Sequence, residues 1–572
     1  MEQIISPGIF QNESDQSAFV QGPQVLGAAI VGPTVKGRPM VPTYVTSYSQ
    51  YQSIFGETFK SGSYYYEYFT SLSAKEYFQN GGQTLLVTRI ISGSANISTY
   101  ATAALTALNG SNNSTSSFSL ETLSWGDTMN NTSSLSSGAL ASGSSTNVRW
   151  EITNVNTGSG EFSLIVRRGD DNTSQPNILE TWSNLSLDPQ LPNYISRVIG
   201  DLKPVYDVAN GFVNYTGSFA NASQYVRVAS IVTPNVDSID NNGLFKSTQY
   251  SSSLPDLGSG SYGGSFNGGV VSTTATQLMN EYVTTNNIQG FSPNDYLNAF
   301  TLLNNQDEYQ YNILLAPGVG LDGSSADNMI STVESRGDAI AIVDNGVYST
   351  SITAATQNAA GQSSNYAATY YPWVQLFSTN LGKVVWCPPS VVMGGVYVFN
   401  DQVGAEWFAP AGLNRGGIPS VIRAARRLQQ TDRDTLYSAN VNPLATFPGN
   451  GVVAFGQKTL QRKQTSLDRV NVRRLLISLK GFIGGVARTL VFEQNSTVTR
   501  NRFLSQVNPY LESVVQRQGL FAFKIVMDDS NNTPDVIDRN QLVGTIYIQA
   551  TKTAEFIVLN FNILPTGSTF PS

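Results

Sequence analysis

Three stretches carry residue spacings that could do chemistry. Gly258-Ser259-Gly260-Ser261-Tyr262-Gly263 has the glycine spacing of a dinucleotide-binding turn, where bare backbone approaches a pyrophosphate. It follows Ser-Ser-Leu-Pro-Asp-Leu instead of a strand and opens no helix, so it reads as a Gly/Ser loop. Gly451 to Gly456, followed by Gln457-Lys458-Thr459, resembles a phosphate loop. The extra Gln puts Lys and Thr out of register, and the Val-Val-Ala-Phe between the glycines is strand-like. Asp528-Asp529-Ser530-Asn531-Asn532 offers acids and amides at calcium-like spacing, without the glycine or the twelfth-position Glu of such a loop. It reads as a polar turn between strands. Arg168-Gly169-Asp170 and Arg336-Gly337-Asp338 are adhesion-type triplets that a chain with 50 glycines reaches by composition. The many Asn-x-Ser/Thr sites follow from composition in the same way.

The residue inventory excludes more. There is no histidine and one cysteine, Cys387. Ser-His-Asp and Cys-His catalysis, a His-liganded metal, a thiolate zinc site and an internal disulfide are therefore all out of reach. We expect no catalytic residue, no cofactor and no metal. Charged residues make up 13% of the 572, against about 25% in ordinary soluble proteins. The polar remainder is Asn, Ser, Thr, Gln and Gly, a composition of β-rich surfaces and ordered polar loops. A net charge of −7 is mild at this length, so nothing global points to nucleic acid or an anionic membrane. No run approaches about 18 apolar residues, and residues 1–7 lack a basic and then apolar leader pattern. The expectation is a chain made and kept in the cytoplasm, without membrane insertion.

The elements that would hold any site follow from periodicity. Short apolar runs at 25–31, 84–90, 312–318, 339–343 and 384–389 read as buried strands, and 64–78 reads as an aromatic helix stopped by Asn80-Gly81-Gly82. A helix ending near Glu334-Ser335-Arg336-Gly337 separates two of these strands. Strand, helix, strand implies a largely parallel sheet, so the fold class is α/β plus β in several domains. Between Arg89 and Arg149 the only charges are Glu121 and Asp127, and 150–152 and 162–166 look like hairpin strands. The predicted division is an N-terminal arm at 1–22, a first part of the core at 23–92 and an inserted β-rich outer domain at 93–200. A polar Gly/Ser-rich surface elaboration follows at 201–290, then an α/β core at 291–415, an α+β C-terminal domain at 416–555 and a C-terminal strand and arm at 556–572.

The window 415–517 holds 16 of the 33 Lys and Arg residues and five of the 40 acids, which makes it +11 against −18 for the remainder. Apolar residues recur there at three- and four-residue spacing (Val472, Leu475, Leu479, Ile483, Val486, Leu490, then Phe503, Val507, Leu511, Val514), predicting two amphipathic helices. Strands are predicted at 523–527, 543–551 and 556–563. Concentrating one sign in a charge-poor chain suits a partner of the other sign, and an acidic protein surface fits better than nucleic acid.

In this order, several segments resemble the contractile-tail sheath proteins of tailed bacteriophages. They are Ser6-Pro7-Gly8-Ile9-Phe10 with Asp15-Gln16-Ser17, Ala29-Ile30-Val31-Gly32, Gly37-Arg38-Pro39, Phe55-Gly56, Tyr77-Phe78-Gln79-Asn80-Gly81-Gly82 and Leu86-Val87-Thr88-Arg89-Ile90. Leu187-Asp188-Pro189, Pro192-Asn193-Tyr194-Ile195 and Ala316-Pro317-Gly318 continue the likeness. So do Val472-Arg473-Arg474-Leu475, Val491-Phe492-Glu493-Gln494-Asn495, Asn531-Asn532-Thr533-Pro534 and Ile537-Asp538-Arg539-Asn540.

The resemblance implies a subtilisin-like core at 291–415 without catalytic residues, and a structural role as stacked hexameric rings around a tail tube. Contraction of the rings would drive the tube through the host envelope. It implies partners too: copies of the same chain, the tail tube protein, and baseplate and tail terminator proteins at the ends. The place would be the virion tail, after assembly in the host cytoplasm. Arms exchanged between subunits would use Pro7, Gly8, Ile9 and Phe10 at one end and Phe556, Ile557, Val558, Leu559, Phe561 and Ile563 at the other. The basic face Arg462, Lys463, Arg469, Arg473 and Arg474 would look toward an acidic tube. A sheath of a phage-derived cellular particle (a tailocin or extracellular injection system) is the alternative, and a Ser/Asn-rich β adhesin is the alternative from another class.

Overall fold

The computed structural model describes residues 27–61, 64–90, 100–106, 116–131, 135–136, 139–156, 159–172, 174–207, 209–231, 254–258, 264–269 and 283–557. Strands β1 (Ala28–Gly32), β2 (Thr43–Val45), β3 (Leu85–Arg89), β4 (Ile313–Gly320), β5 (Ile340–Asp344) and β6 (Ala367–Tyr371) enter the main sheet. In β1, β3, β5 and β6 every residue is buried. A strand covered on both faces needs apolar residues at consecutive positions, which is why these runs are continuous and not alternating. Strands β7 (Val374–Ser378), β8 (Lys383–Cys387) and β9 (Val421–Ala424) leave to form a separate antiparallel sheet in the order β8-β7-β9. Strands β10 (Asn442–Phe447) and β11 (Gly451–Ala454) return, completing the order β2-β3-β1-β4-β5-β6-β10-β11. The six central strands are parallel, and the outer two run antiparallel to their neighbours.

Helices α1 (Phe69–Gln79), α2 (Ser324–Arg336) and α3 (Ser390–Val403) pack on this sheet. Helix α3 is buried from Ser390 through Val398, so its neighbours must approach its backbone closely. Two glycines permit it. A Cβ on Gly394 would lie 2.7 Å from Leu315 Cδ1 of β4, and one on Gly395 would lie 2.9 Å from the Glu76 carbonyl of α1. Helix α2 ends at Gly337, whose φ of 70° is the left-handed stop that glycine adopts freely. The Arg336-Gly337-Asp338 triplet is internal. Arg336 is buried and donates to the Leu303 carbonyl at 2.6 Å, the Tyr309 carbonyl at 2.8 Å and Asp338 at 2.9 Å.

A second core lies in the β-rich part. Strands Val148–Asn156, Glu161–Arg168 and Ile178–Ser186 form one antiparallel sheet, and Tyr100–Thr106, Ser116–Trp125 and Val226–Ile231 form another. Phe118 stacks on Phe162 with 5.4 Å between ring centroids, joining the two sheets. Several of the few charges here are internalised: Arg149 and Arg167 meet Asp171 at 3.2 and 2.6 Å, and Arg167 also meets Glu151 at 2.6 Å.

Four sequence expectations need correction. Residues 384–389 do not continue the parallel sheet, because Lys383 and Val384 are exposed where a central strand would bury them. Residues 64–67 form a strand paired with Thr58–Ser61, and the helix starts only at Phe69. The aromatic run Tyr64-Tyr65-Tyr66 suits a pleated strand better than a helix. No domain boundary falls at 200, since Val226 and Val228 pair with Thr122 and Leu120, and Phe266 is buried in the same core. The chain divides into one compact unit of Leu26–Ile477 and another containing Ser478–Ser572, so residues 416–477 belong with the main sheet that β10 and β11 extend.

Helix α4 (Val470–Arg488) contains that boundary. In the smaller unit, helix α5 (Thr497–Gln516) is capped by Ser496 and buries Phe503, Val507, Leu511 and Val514, as their spacing predicts. It packs on a two-stranded antiparallel sheet, β12 (Leu520–Val526) with β13 (Thr545–Ala550). The Asp528–Asn532 stretch is a turn between strands, held by Asn532, which donates to the Asp528 and Val543 carbonyls.

The close approach of α1 and α3 generates a test. Gly395→Ala should cost about 1–3 kcal/mol through overpacking against the fixed Glu76 carbonyl and lower the thermal midpoint. Gly481→Ala, on helix α4 where an added Cβ meets nothing within 4 Å, should instead leave the midpoint unchanged or raise it.

Candidate assembly interface

The five predicted basic residues separate into two groups. Arg462 and Lys463 are exposed in the segment leading to α4. Arg469 is half-buried, 3.1 Å from Asp468, with its guanidinium 6.0 Å from the Tyr437 ring centroid. Arg473 and Arg474 are buried and do not form an outward face, which corrects the expectation for both. Arg473 lies 4.0 Å over the Tyr366 ring and donates to Asn365 at 2.6 Å, and burial lowers its pKa. Arg474 grips Asp401 of α3 in a two-pronged contact of 2.7 and 2.5 Å, and sits 5.0 Å over Tyr397. Burial opposes its charge, but Asp401 outweighs that and holds its pKa above the ordinary arginine value. These two arginines bind the start of α4 to the core through planar, bidentate and stacked geometry that lysine does not reproduce.

Of the predicted arm residues, Phe556 and Ile557 are described. They are 79% and 77% exposed and lie outside any strand, so the predicted strand does not begin there. Pro7, Gly8, Ile9, Phe10, Val558, Leu559, Phe561 and Ile563 lie outside the described residues.

The sequence reading missed an outward face on the β8-β7-β9 sheet. Phe377 pairs with Val384 across β7 and β8, and both are about half exposed. A register shift opposite Gln375 and Leu376 leaves Ile422 as an extra, exposed residue. Arg423 lies 5.2 Å over Trp386 and donates to Gln375 at 2.8 Å. No sequence signal marks it, since Val384-Val385-Trp386-Cys387 is apolar at every position and the one-sided burial shows only in the folded strand.

At the carboxyl end of β5, Asp344 is buried and accepts from Gly318 N at 2.9 Å, Ser390 N at 2.9 Å and Ser390 Oγ at 2.7 Å. An acid and a serine at this end of a parallel sheet are residue types of a hydrolase. Here both are buried and the chain has no histidine, so the pair ties β4 and β5 to the head of α3. Burial pushes the Asp344 carboxyl up to about 6, against the three hydrogen bonds that favour its charge.

A raised acid stabilises the fold below its unfolded pKa, here 3.8, and that contribution is lost as pH climbs through the folded value near 6. The shift corresponds to roughly 3 kcal/mol. Glu67 and Glu76, both raised by burial, add to the same slope. Chemical denaturation should therefore show the protein losing stability between about pH 4 and pH 6, and Asp344→Asn should flatten that loss whatever its effect on absolute stability. An unchanged slope would contradict this account of the site.

Comparison with known proteins accords with this architecture. The family profile described as phage tail sheath protein central domain matches residues 289–460, and the phage tail sheath C-terminal domain matches 462–564. The tail sheath protein of Vibrio phage KVP40 is 40% identical over 185 residues, which is 32% of this chain and 28% of that protein. The tail sheath protein of Enterobacteria phage T4 is 39% identical over 185 residues, again 32% and 28%. The chain thus spans under a third of the length of these relatives. In fold it is similar to a sheath tail protein from Listeria innocua, with a TM-score of 0.54 and 11% identity over 92% of this chain and 95% of that one. The helical sheath of the anti-feeding prophage in its contracted state gives a TM-score of 0.50 and 15% identity over 98% and 99%. The central and C-terminal sheath domains are thus matched one after the other along residues 289–564, and over that stretch the chain is similar to phage tail sheath proteins.

Proposed function

We propose that the chain is the subunit of a contractile tail sheath. It polymerises with copies of itself as stacked hexameric rings around a tail tube and contracts to drive the tube through the host envelope for genome delivery. The consecutive matches to the two sheath domains carry this reading. Its place is the virion tail, reached after assembly in the host cytoplasm, with baseplate and tail terminator proteins at the two ends. The role is structural and not catalytic.

Three features support the finer parts of the proposal. The Asp344–Ser390 pair at the carboxyl ends of parallel strands suits a subtilisin-like core that keeps the scaffold without the chemistry. Strands β12 and β13 pair only with each other among the described residues, so each has an edge open to a donated strand. Main-chain hydrogen bonds at such an edge are available to any extended segment, and alternate side-chain pockets supply selectivity. This suits arm exchange through Pro7–Phe10 and the residues following Phe556. Exposed Arg462 and Lys463 retain the tube-facing role. The β-rich part, expected at 93–200, is an outer graft on the core.

Strand exchange explains how subunits slide without detaching. Contraction is then downhill because subunits bury more surface on each other. Each further 100 Å² of apolar burial is worth at most about 2.5 kcal/mol per subunit, less ordering costs, and the gain repeats over every ring.

Purified protein examined by negative-stain electron microscopy should form striated tubes, and only small closed particles or monomers would contradict the reading. Reversing Arg462 and Lys463 together to Glu should reduce co-sedimentation with tail tubes, and raised salt should weaken the parent interaction in the same direction.

A further inference from the structure

Phe492, in the turn between α4 and α5, combines two unfavourable properties. Its φ of 72° lies in the left-handed region, where a bulky side chain is strained, and its ring is fully exposed at 103%. Glycine would make the same turn without either cost. Val491 and Val498 beside it are 59% and 77% exposed, and Glu493 follows, also exposed. The turn therefore holds out an aromatic ring next to a carboxylate.

The larger unit carries a cleft of matching size. It has a volume of about 150 Å³ and is lined by Leu72, Leu376 and Phe377 together with the polar side chains of Lys75, Glu76 and Thr379. A volume of about 150 Å³ is the size that takes up benzene, so a phenyl ring fits by size. Lys75 donates to Thr379 and has no carboxylate within 4 Å among the described residues, whereas neighbouring Glu76 is occupied by Ser420 at 2.7 Å.

We propose that Phe492 of one subunit inserts into the Leu72–Leu376–Phe377 cleft of a second copy, with Glu493 meeting Lys75. Knob and socket are different surfaces, so the contact is heterologous. It propagates from copy to copy instead of closing a two-fold dimer. It rests on the sheath reading only in taking the partner to be another copy of this chain.

Phe492→Gly separates the strain from the contact. It should leave the monomer's thermal midpoint unchanged or raised, yet raise the critical concentration for assembly roughly thirty-fold, the loss expected of a hot-spot aromatic. Lys75→Glu and Glu493→Lys should each weaken assembly, and the two combined in one chain should restore it. Carrying Glu493→Cys and Thr379→Cys in one full-length chain should yield a ladder of disulfide-linked multimers on mild oxidation, since the native Cys387 is buried. Assembly of Phe492→Gly at the parent's critical concentration, absence of the ladder, or a disulfide closed within single chains would each overturn the contact. A double-cysteine chain that gives the ladder, beside a parent protein that builds no tube, would overturn the sheath reading and leave the contact standing.

Discussion

A helix whose first nine residues are all buried must settle its head and its closest neighbours without help from water. Helix α3 is held at three points, and the larger unit is arranged around them. Asp344 receives its first turn, two glycines at its middle admit β4 and α1, and Asp401 near its end holds Arg474. Each point fixes a different part of the chain: the carboxyl end of the sheet, the N-terminal helix layer and the start of α4. The cost is a buried carboxylate with an elevated pKa, tolerated because three donors converge on it.

The parallel centre of the fold was legible because strands buried on both faces leave an uninterrupted apolar run, as in Leu314-Leu315-Ala316 and Ile340-Ala341-Ile342. Val384-Val385-Trp386-Cys387 is equally apolar over four residues, and only its partners show that one face stays outside. Composition hid the extent of the β-rich part. The Gly/Ser texture after residue 200 gives no hint that Val226 and Val228 complete a strand pair with residues about a hundred positions earlier.

Among the candidate site residues, charge counting identified a basic region but not the roles within it. Arg462 and Lys463 stay in solvent, while Arg473 and Arg474 are held by Asn365, Tyr366, Tyr397 and Asp401, partners some seventy to a hundred residues away. Burial of a guanidinium depends on such distant partners, which local pattern cannot reveal. The strained Phe492 was equally invisible, since a positive φ at a non-glycine residue is a property of the turn and not of its sequence.

The outer strands of the main sheet have a consequence for crowding. Strand β2 has three residues and β11 four, each antiparallel to its neighbour. An edge that short offers little template for an unrelated strand. A subunit that, as proposed, accumulates before being built into a sheath would run a constant risk of sheet-to-sheet adhesion. Truncated borders on the largest sheet keep that risk low and leave the small β12–β13 hairpin as the more inviting place to add a strand. In the proposed sheath, selectivity would then come as much from edges that refuse partners as from those that accept them.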